Sequence, residues 1–158
     1  MAARAWKAGP DEAETVARLL VAFRDHLGYA WPSNNAFLAG VEHLMDDRDT
    51  DFILASADDD SPPSGVAQLR YRMGLWRAGR DCLVEDVFVT ESARGRGVAR
   101  AFLDRATTRA LERGCCRMEL DVNEANPAAL ALYESFGFET GFPRDLYMRR
   151  HLDAGPDA

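Results

Sequence analysis

The stretch that most restricts how this chain can fold runs from Val84 to Ala99. Val84-Glu85-Asp86-Val87-Phe88-Val89 reads as a strand, Thr90 to Ala93 leaves it, and Arg94-Gly95-Arg96-Gly97-Val98-Ala99 opens a helix. The free amide N–H groups of such a helix start point outward, and the helix dipole favours an anion there. Gly95 and Gly97 lack a Cβ, so a phosphate can approach the backbone closely. Arg94, Arg96 and Arg100 fall within seven residues that contain no acid, and can add charge-assisted contacts. The arrangement suits a pyrophosphate. Taken alone, it could also be an ordinary tight turn. A P-loop would need Gly-Lys-Ser/Thr, which is absent, and a dinucleotide fingerprint would need a third glycine where Arg100 stands.

Strands and helices alternate around this segment. Arg4 to Ala8 predicts a strand, broken by Gly9-Pro10. Ala13, Val16, Ala17, Leu20, Phe23 and Leu27 then recur at helical spacing, with Gly28 as a stop. A second helix is expected from Ser33 to Met45, capped by Ser33 or Asn34. Strands are expected at Phe52 to Ala57, Val66 to Met73, Cys82 to Thr90 and Arg117 to Val122, with Gly74 to Asp81 joining an antiparallel pair. Ala99, Phe102, Leu103, Ala106 and Ala110 mark an amphipathic helix over Arg96 to Arg113. Pro127 suits the first position of a last helix, with Asn126 as its cap and Gly137 at its end. Short strands are expected near Phe138 and from Leu146 to Arg150. Residues 1–152 read as one α/β domain and 153–158 as a loose tail.

Composition narrows the partners. At 158 residues the chain has the size of one domain, able to bury roughly 70% of its extended surface without staples. A net charge of -7 argues against nonspecific nucleic-acid binding and favours cationic partners. No apolar run approaches a membrane span and no signal peptide is evident, so a cytoplasmic chain with no membrane partner is expected. Cys82, Cys115 and Cys116 have no zinc-like spacing, and His26, His43 and His151 are scattered, so no metal site is expected.

A second motif follows one helix and one strand later: Asn126-Pro127-Ala128-Ala129-Leu130-Ala131-Leu132-Tyr133-Glu134-Ser135-Phe136-Gly137-Phe138. Together the two segments resemble the GCN5-related N-acetyltransferase (GNAT) family over roughly Val66 to Arg150. That family's loop, Arg/Gln-x-x-Gly-x-Gly/Ala, is met by Arg94, Gly97 and Ala99. Its later pattern is met by Asn126, Ala129, Leu132-Tyr133 and Gly137-Phe138.

The resemblance implies a mixed, mainly antiparallel sheet with helices on both faces. Two central parallel strands, Cys82 to Thr90 and Arg117 to Val122, would splay into a V-shaped slot. It implies acetyl-CoA as cosubstrate, with pantetheine along the backbone of Val87, Phe88 and Val89. The pyrophosphate would lie on the amides of Arg94, Gly95, Arg96, Gly97, Val98 and Ala99, and Asn126 and Tyr133 would approach the pantetheine arm and thioester. The activity implied is acetyl transfer to a primary amine by direct attack in a ternary complex. Homodimers are common in such families.

That reaction needs a neutral amine, and at pH 7 an amine of pKa about 10.4 is less than about 0.1% free base, a penalty of roughly 4–5 kcal/mol. Glu85 is the candidate base, directly or through water, with Asp86 as its competitor because strand neighbours face opposite sides. Either could also be an ordinary half-exposed acid. Tyr133 is the candidate acid for the departing thiolate, although its helical spacing with Ala129, Leu132 and Phe136 also fits a core tyrosine. A covalent route through Cys115 or Cys116 is not expected, since no histidine lies near them in sequence.

Acceptor identity should reside in the first two helices, their Tyr29-Ala30-Trp31 break and the Gly74 to Asp81 hairpin. Tyr29, Trp31, Tyr71 and Trp76 could wall a cation or be ordinary packing, and Glu42, Asp46 and Asp47 could attract one or form a solvated face. Glu85-Asp86 followed by an aromatic resembles the same strand of polyamine acetyltransferases, which favours a small cationic amine. A protein or peptide acceptor, or a noncatalytic acyl-CoA sensor, is the alternative.

Overall fold

Strand β2 (Thr50–Ser56) is buried at all seven positions, which requires cover on both of its faces. The computed structural model describes residues 2–152 and supplies both covers; the expected loose tail, 153–158, lies outside the described residues. Five strands line up in chain order: β1 (Arg4–Lys7), β2, β3 (Gly65–Gly74), β4 (Gly79–Val89) and β5 (Cys115–Leu120). The first four pair antiparallel, and β4 pairs β5 in parallel. This is the mixed, mainly antiparallel sheet expected.

On one face, Ile53, Ala55, Ala67, Leu69, Cys82 and Val84 meet Val98, Phe102, Ala106 and Ala110 of α3 (Val98–Glu112). On the other, Phe52, Leu54, Val66 and Phe88 meet α1 (Ala13–His26) and α2 (Asn34–Met45). The alternation of side chains along β2 and β3 thus feeds two separate apolar layers. Ser33 caps α2 by accepting from the Ala36 N–H at 3.1 Å, as its residue type predicts. Leu27, expected on the apolar stripe of α1, is exposed because the helix ends at His26.

Met1–Asn123, with the sheet and α1 to α3, forms one compact unit, and Glu124–Ala158 forms a second that carries α4 (Pro127–Ser135). The strands expected near Phe138 and over Leu146 to Arg150 are not formed: the described residues of the second unit hold no strand. Leu146, Tyr147 and Met148 are exposed there. Alternating side chains make a strand only where a neighbouring backbone offers a ladder. No helix among the described residues is long and apolar enough to cross a membrane.

Candidate active site

The parallel ladder between β4 and β5 stops at Val84 and Leu120, where β5 ends. Strand β4 continues to Val89, paired from there with β3 alone. Beyond Val84 the sheet therefore opens between the two strands, at the place the motifs predicted. Backbone groups on that open edge can hydrogen-bond an extended polar chain by strand addition.

A bulge re-aims this segment. Val66 pairs with Phe88 but Gln68 pairs with Glu85, so Ala67 faces both Asp86 and Val87. Asp86 absorbs the extra residue at φ 54°, a left-handed conformation that aspartate tolerates better than most residues. Simple alternation along β4 therefore breaks at this bulge. After the bulge, Val87 and Val89 pack toward the α3 layer, whereas Phe88 enters the α1–α2 layer.

Both carboxylates are pushed up from their ordinary values. Burial raises Glu85, with Asp86 and Asp121 adding to the rise, while Arg70 and Arg72 oppose it. Surrounding protein raises Asp86 as well, although its side chain reaches solvent, and Arg70 again opposes. Arg70 Nε stands 3.7 Å from Glu85 Oε2, an ion pair too long for a hydrogen bond. A carboxylate held up in this way is a better proton acceptor near neutral pH.

The glycine turn follows directly. Gly95 and Gly97 have φ values of 73° and 82°, conformations that any Cβ would strain. Gly97 is the cap residue of α3, and no side chain caps that helix. By contrast, Ser33 caps α2 and Asn126 caps α4, accepting from the Ala129 N–H at 3.2 Å. The start of α3, like that of α1, has no side-chain cap, and its dipole and outward N–H groups suit an anion. No atom within 4 Å would meet a Cβ at Gly95, so the turn has room for an anion.

The arginines do not crowd the turn. Arg94 Nε donates to the Val89 carbonyl at 3.1 Å, which ties the turn to the end of β4, and Arg96 pairs with Asp58 at 3.0 Å. Both remain close enough to contribute positive potential.

On the α1–α2 side, Phe23 stacks on Phe88 with ring centroids 5.0 Å apart, and His26 lies 6.0 Å from the same ring. Tyr29 and Trp31 are exposed in the connection that follows α1. Two residues expected with them stand elsewhere. Tyr71 is 2% exposed on the α3 face, where its hydroxyl donates to Asp51 at 2.6 Å beneath the Arg113 guanidinium. Trp76 is 96% exposed in the β3–β4 hairpin, at the start of β4 and away from its splayed end. The hairpin therefore does not line the splay. Asp47 accepts from the Asp49 N–H and the Thr50 hydroxyl, which makes it a local turn cap.

A cleft of about 480 Å³ opens toward the hairpin end, among Lys7, Asp47, Thr50, Asp51, Phe52 and Arg113. Its charges answer one another: Lys7 lies 3.5 Å from Asp51, and Arg113 lies 3.1 Å from Asp49. Burial pushes the Cys82 thiol up to about 12 and raises Cys115 too, so neither supplies a ready thiolate. Among the described residues no group of three or more histidine, cysteine, aspartate or glutamate side chains could hold a metal ion.

Within the second unit, Tyr133 lies half-buried on α4, edge-on to Phe138 at 6.1 Å, and burial raises its phenol. It therefore stays protonated across the neutral range. Gln68 and Arg70, which flank Glu85 on β3, were not anticipated. The available signal was one polar residue, Gln68, inside the apolar run Val66 to Leu69.

The Acetyltransferase (GNAT) family model matches residues 16–138. Among curated relatives, the thialysine N-epsilon-acetyltransferase of Bos taurus is 32% identical over 73 residues, 46% of this chain and 42% of that protein. The mycothiol acetyltransferase of Jonesia denitrificans is 48% identical over 65 residues, 41% of this chain and 18% of that protein. The chain thus spans less than half the length of either relative in these matches. The crystal structure of a probable acetyltransferase superposes with a TM-score of 0.83 at 25% identity, covering 95% of this chain and 99% of that one. The ribosomal-protein-alanine N-acetyltransferase of Brucella melitensis shares the fold, with a TM-score of 0.73 at 22% identity over 95% and 99% of the two chains. The splayed strands and uncapped glycine turn thus lie in a segment that the family model spans, and the chain belongs to the GNAT acetyltransferase family.

Proposed function

We propose that the protein transfers an acetyl group from acetyl-CoA to the primary amine of a small cationic acceptor. The observation that carries this reading is one continuous piece of backbone, Glu85 to Val98. It presents an unpaired strand edge, a half-buried acid and an uncapped helix start in succession. Those three features match the three parts of the reaction: an extended pantetheine arm, an amine that must lose a proton, and a pyrophosphate.

Acetyl-CoA supplies the activated acyl group. The open edge of β4 at Val87, Phe88 and Val89 holds the arm, and the turn from Arg94 through Ala99 receives the phosphates. Glu85 takes the proton from the acceptor amine, directly or through a water. A backbone N–H of the splayed strand, such as that of Val89, stabilises negative charge developing on the acyl oxygen. Tyr133 returns a proton to the departing sulfur, and Asn126 holds the start of its helix. The charge beside the splay favours a cation: Glu85, Asp86, Glu119 and Asp121 outnumber Arg70, Arg72 and Arg117, and Glu119 holds Arg72 at 2.6 Å and Arg117 at 2.9 Å.

The test is thiol release from acetyl-CoA across polyamines, aminoglycosides, amino acids, arylalkylamines and short peptides. Turnover concentrated on small cationic amines supports the proposal. Turnover confined to peptides removes the acceptor class, and acetyl-CoA binding without turnover on any amine removes the catalytic reading. Tyr133→Phe should lower kcat by roughly 10- to 100-fold, part of the range for general-acid catalysis, with acetyl-CoA affinity kept. Unchanged turnover would remove Tyr133 from the chemistry.

A further inference from the structure

Gln68 and Glu85 are directly paired across β3 and β4, immediately before the bulge. Opposed residues of an antiparallel pair share a face, with Cβ atoms about 4.5–5.5 Å apart. Gln68 is 6% exposed, and its side-chain Nε2 is buried with no hydrogen-bond partner. Opposite it, no hydrogen bond holds the Glu85 carboxylate among the described residues, its nearest cation being Arg70 at 3.7 Å. A donor without an acceptor therefore sits beside an acceptor without a donor.

A buried amide with no partner costs stability, and an apolar residue of similar size would avoid that cost. Val66, Ala67 and Leu69 show that this part of β3 takes apolar side chains readily. We propose that Gln68 is a positioning residue, whose side-chain amide donates to Glu85 when the acceptor binds. The bond would fix one carboxylate oxygen and turn the other toward the amine. The inference rests on the base role proposed for Glu85 and extends it to a second residue.

The groups around Glu85 leave this task to Gln68. Arg70 and Arg72 project from β3, Asp86 follows on β4, Asp121 lies just past β5, and His26 of α1 packs on the adjacent Phe88. None of them donates a hydrogen bond to Glu85 in the described structure. The arginines supply charge without fixing the orientation of the carboxylate.

The experiment compares Gln68→Leu, Glu85→Gln and the double variant, by pH-dependent kinetics and thermal unfolding. Gln68→Leu should lower kcat/KM for the amine about tenfold, a partial loss of general-base catalysis. The acidic limb of its pH profile should move upward, because the carboxylate has lost a donor. Its KM for acetyl-CoA should stay within about twofold, and it should unfold at the wild-type temperature or above. In the Glu85→Gln background the same change should cost little more, since the two residues act as a unit.

A Gln68→Leu enzyme with wild-type kcat/KM and acidic limb overturns the proposal and leaves Glu85 standing, provided Glu85→Gln has lost its limb. A wild-type limb in Glu85→Gln overturns the base role and this proposal together. If Gln68→Leu does not fold, Gln68→Met is read in the same way. Failure of both to fold assigns Gln68 to the structure and overturns its positioning role.

Discussion

The two halves of β4 carry acids in opposite circumstances. At its start, Asp81 is buried yet receives both Nε and a terminal nitrogen of Arg117, at 3.2 and 2.9 Å. The neighbouring acids of β2 and its approach are held likewise. Asp51 accepts from Tyr71 at 2.6 Å and Arg109 at 2.9 Å, and Asp49 receives Arg80 and Arg113. Past Val84 the strand loses β5, and Glu85 and Asp86 have no comparable partners among the described residues. Burial would raise Asp51, but hydrogen bonds from Tyr71 and Arg109 and the charges of Arg109 and Lys7 hold it low. Burial raises Glu85 and the surrounding protein raises Asp86, and a distant Arg70 does not offset either. Acids on one sheet thus differ in their surroundings: those around the start of β4 are tied into the fold, and the acid proposed as the base lacks such a tie among the described residues.

The sharpest way to break this comparison is to remove a partner from the satisfied end. Asp51→Ala should destabilise the fold by about 3–5 kcal/mol, because Arg109 and the Tyr71 hydroxyl lose a buried partner. Urea unfolding measures this, and a loss below about 1 kcal/mol, the scale of a surface pair, would erase the distinction. Glu85→Gln should do the reverse. Its kcat/KM should fall roughly 100-fold or more, the usual scale of a lost general base. Its unfolding midpoint should match or exceed the wild type, because a half-buried charge that lacks a hydrogen bond is gone. A destabilised but fully active variant would reassign Glu85 to the structural acids.

A smaller effect is expected at the turn. Gly97→Ala places a Cβ at φ 82°, at a cost of roughly 1–2 kcal/mol, and should raise the KM for acetyl-CoA more than it lowers kcat. Equal effects on every kinetic constant would show strain alone, without a phosphate contact. The smallest effect is a displacement along the pH axis. Glu85 must be ionised to take a proton and its pKa is raised, so kcat/KM should decline as pH falls through a value above the ordinary carboxylate range. Asp51 is lowered, so its stabilisation is present above the unfolded-state value and disappears only as pH falls through its depressed folded value. Activity should therefore fail at a higher pH than the fold does. Coincident acid loss of the two, followed by kinetics and circular dichroism, would contradict the assignment.

Much of this was legible in the chain itself, because it depends on local periodicity and on backbone chemistry. Helical spacing from Val98 to Ala110, Ser33 and Asn126 as caps, and the left-handed demand on Gly95 and Gly97 act within a few residues. The strand–turn–helix order around Val84 to Ala99, taken together with the Asn126 to Phe138 motif, therefore pointed to the family.

Tertiary structure decided which side chains meet. Tyr71 and Trp76 look alike as aromatic candidates, yet register carries one under α3 and leaves the other at the hairpin tip. Alternation reads straight through β4 in the sequence, but the extra residue at Asp86 changes the facing of everything after it. The pairing of Gln68 with Glu85 joins positions far apart in the chain, and only the β3–β4 register creates it. Local sequence settles which backbone conformations a segment can take. Which acid is left without a donor depends on the sum of neighbours from several elements, and that sum exists only once the sheet has closed.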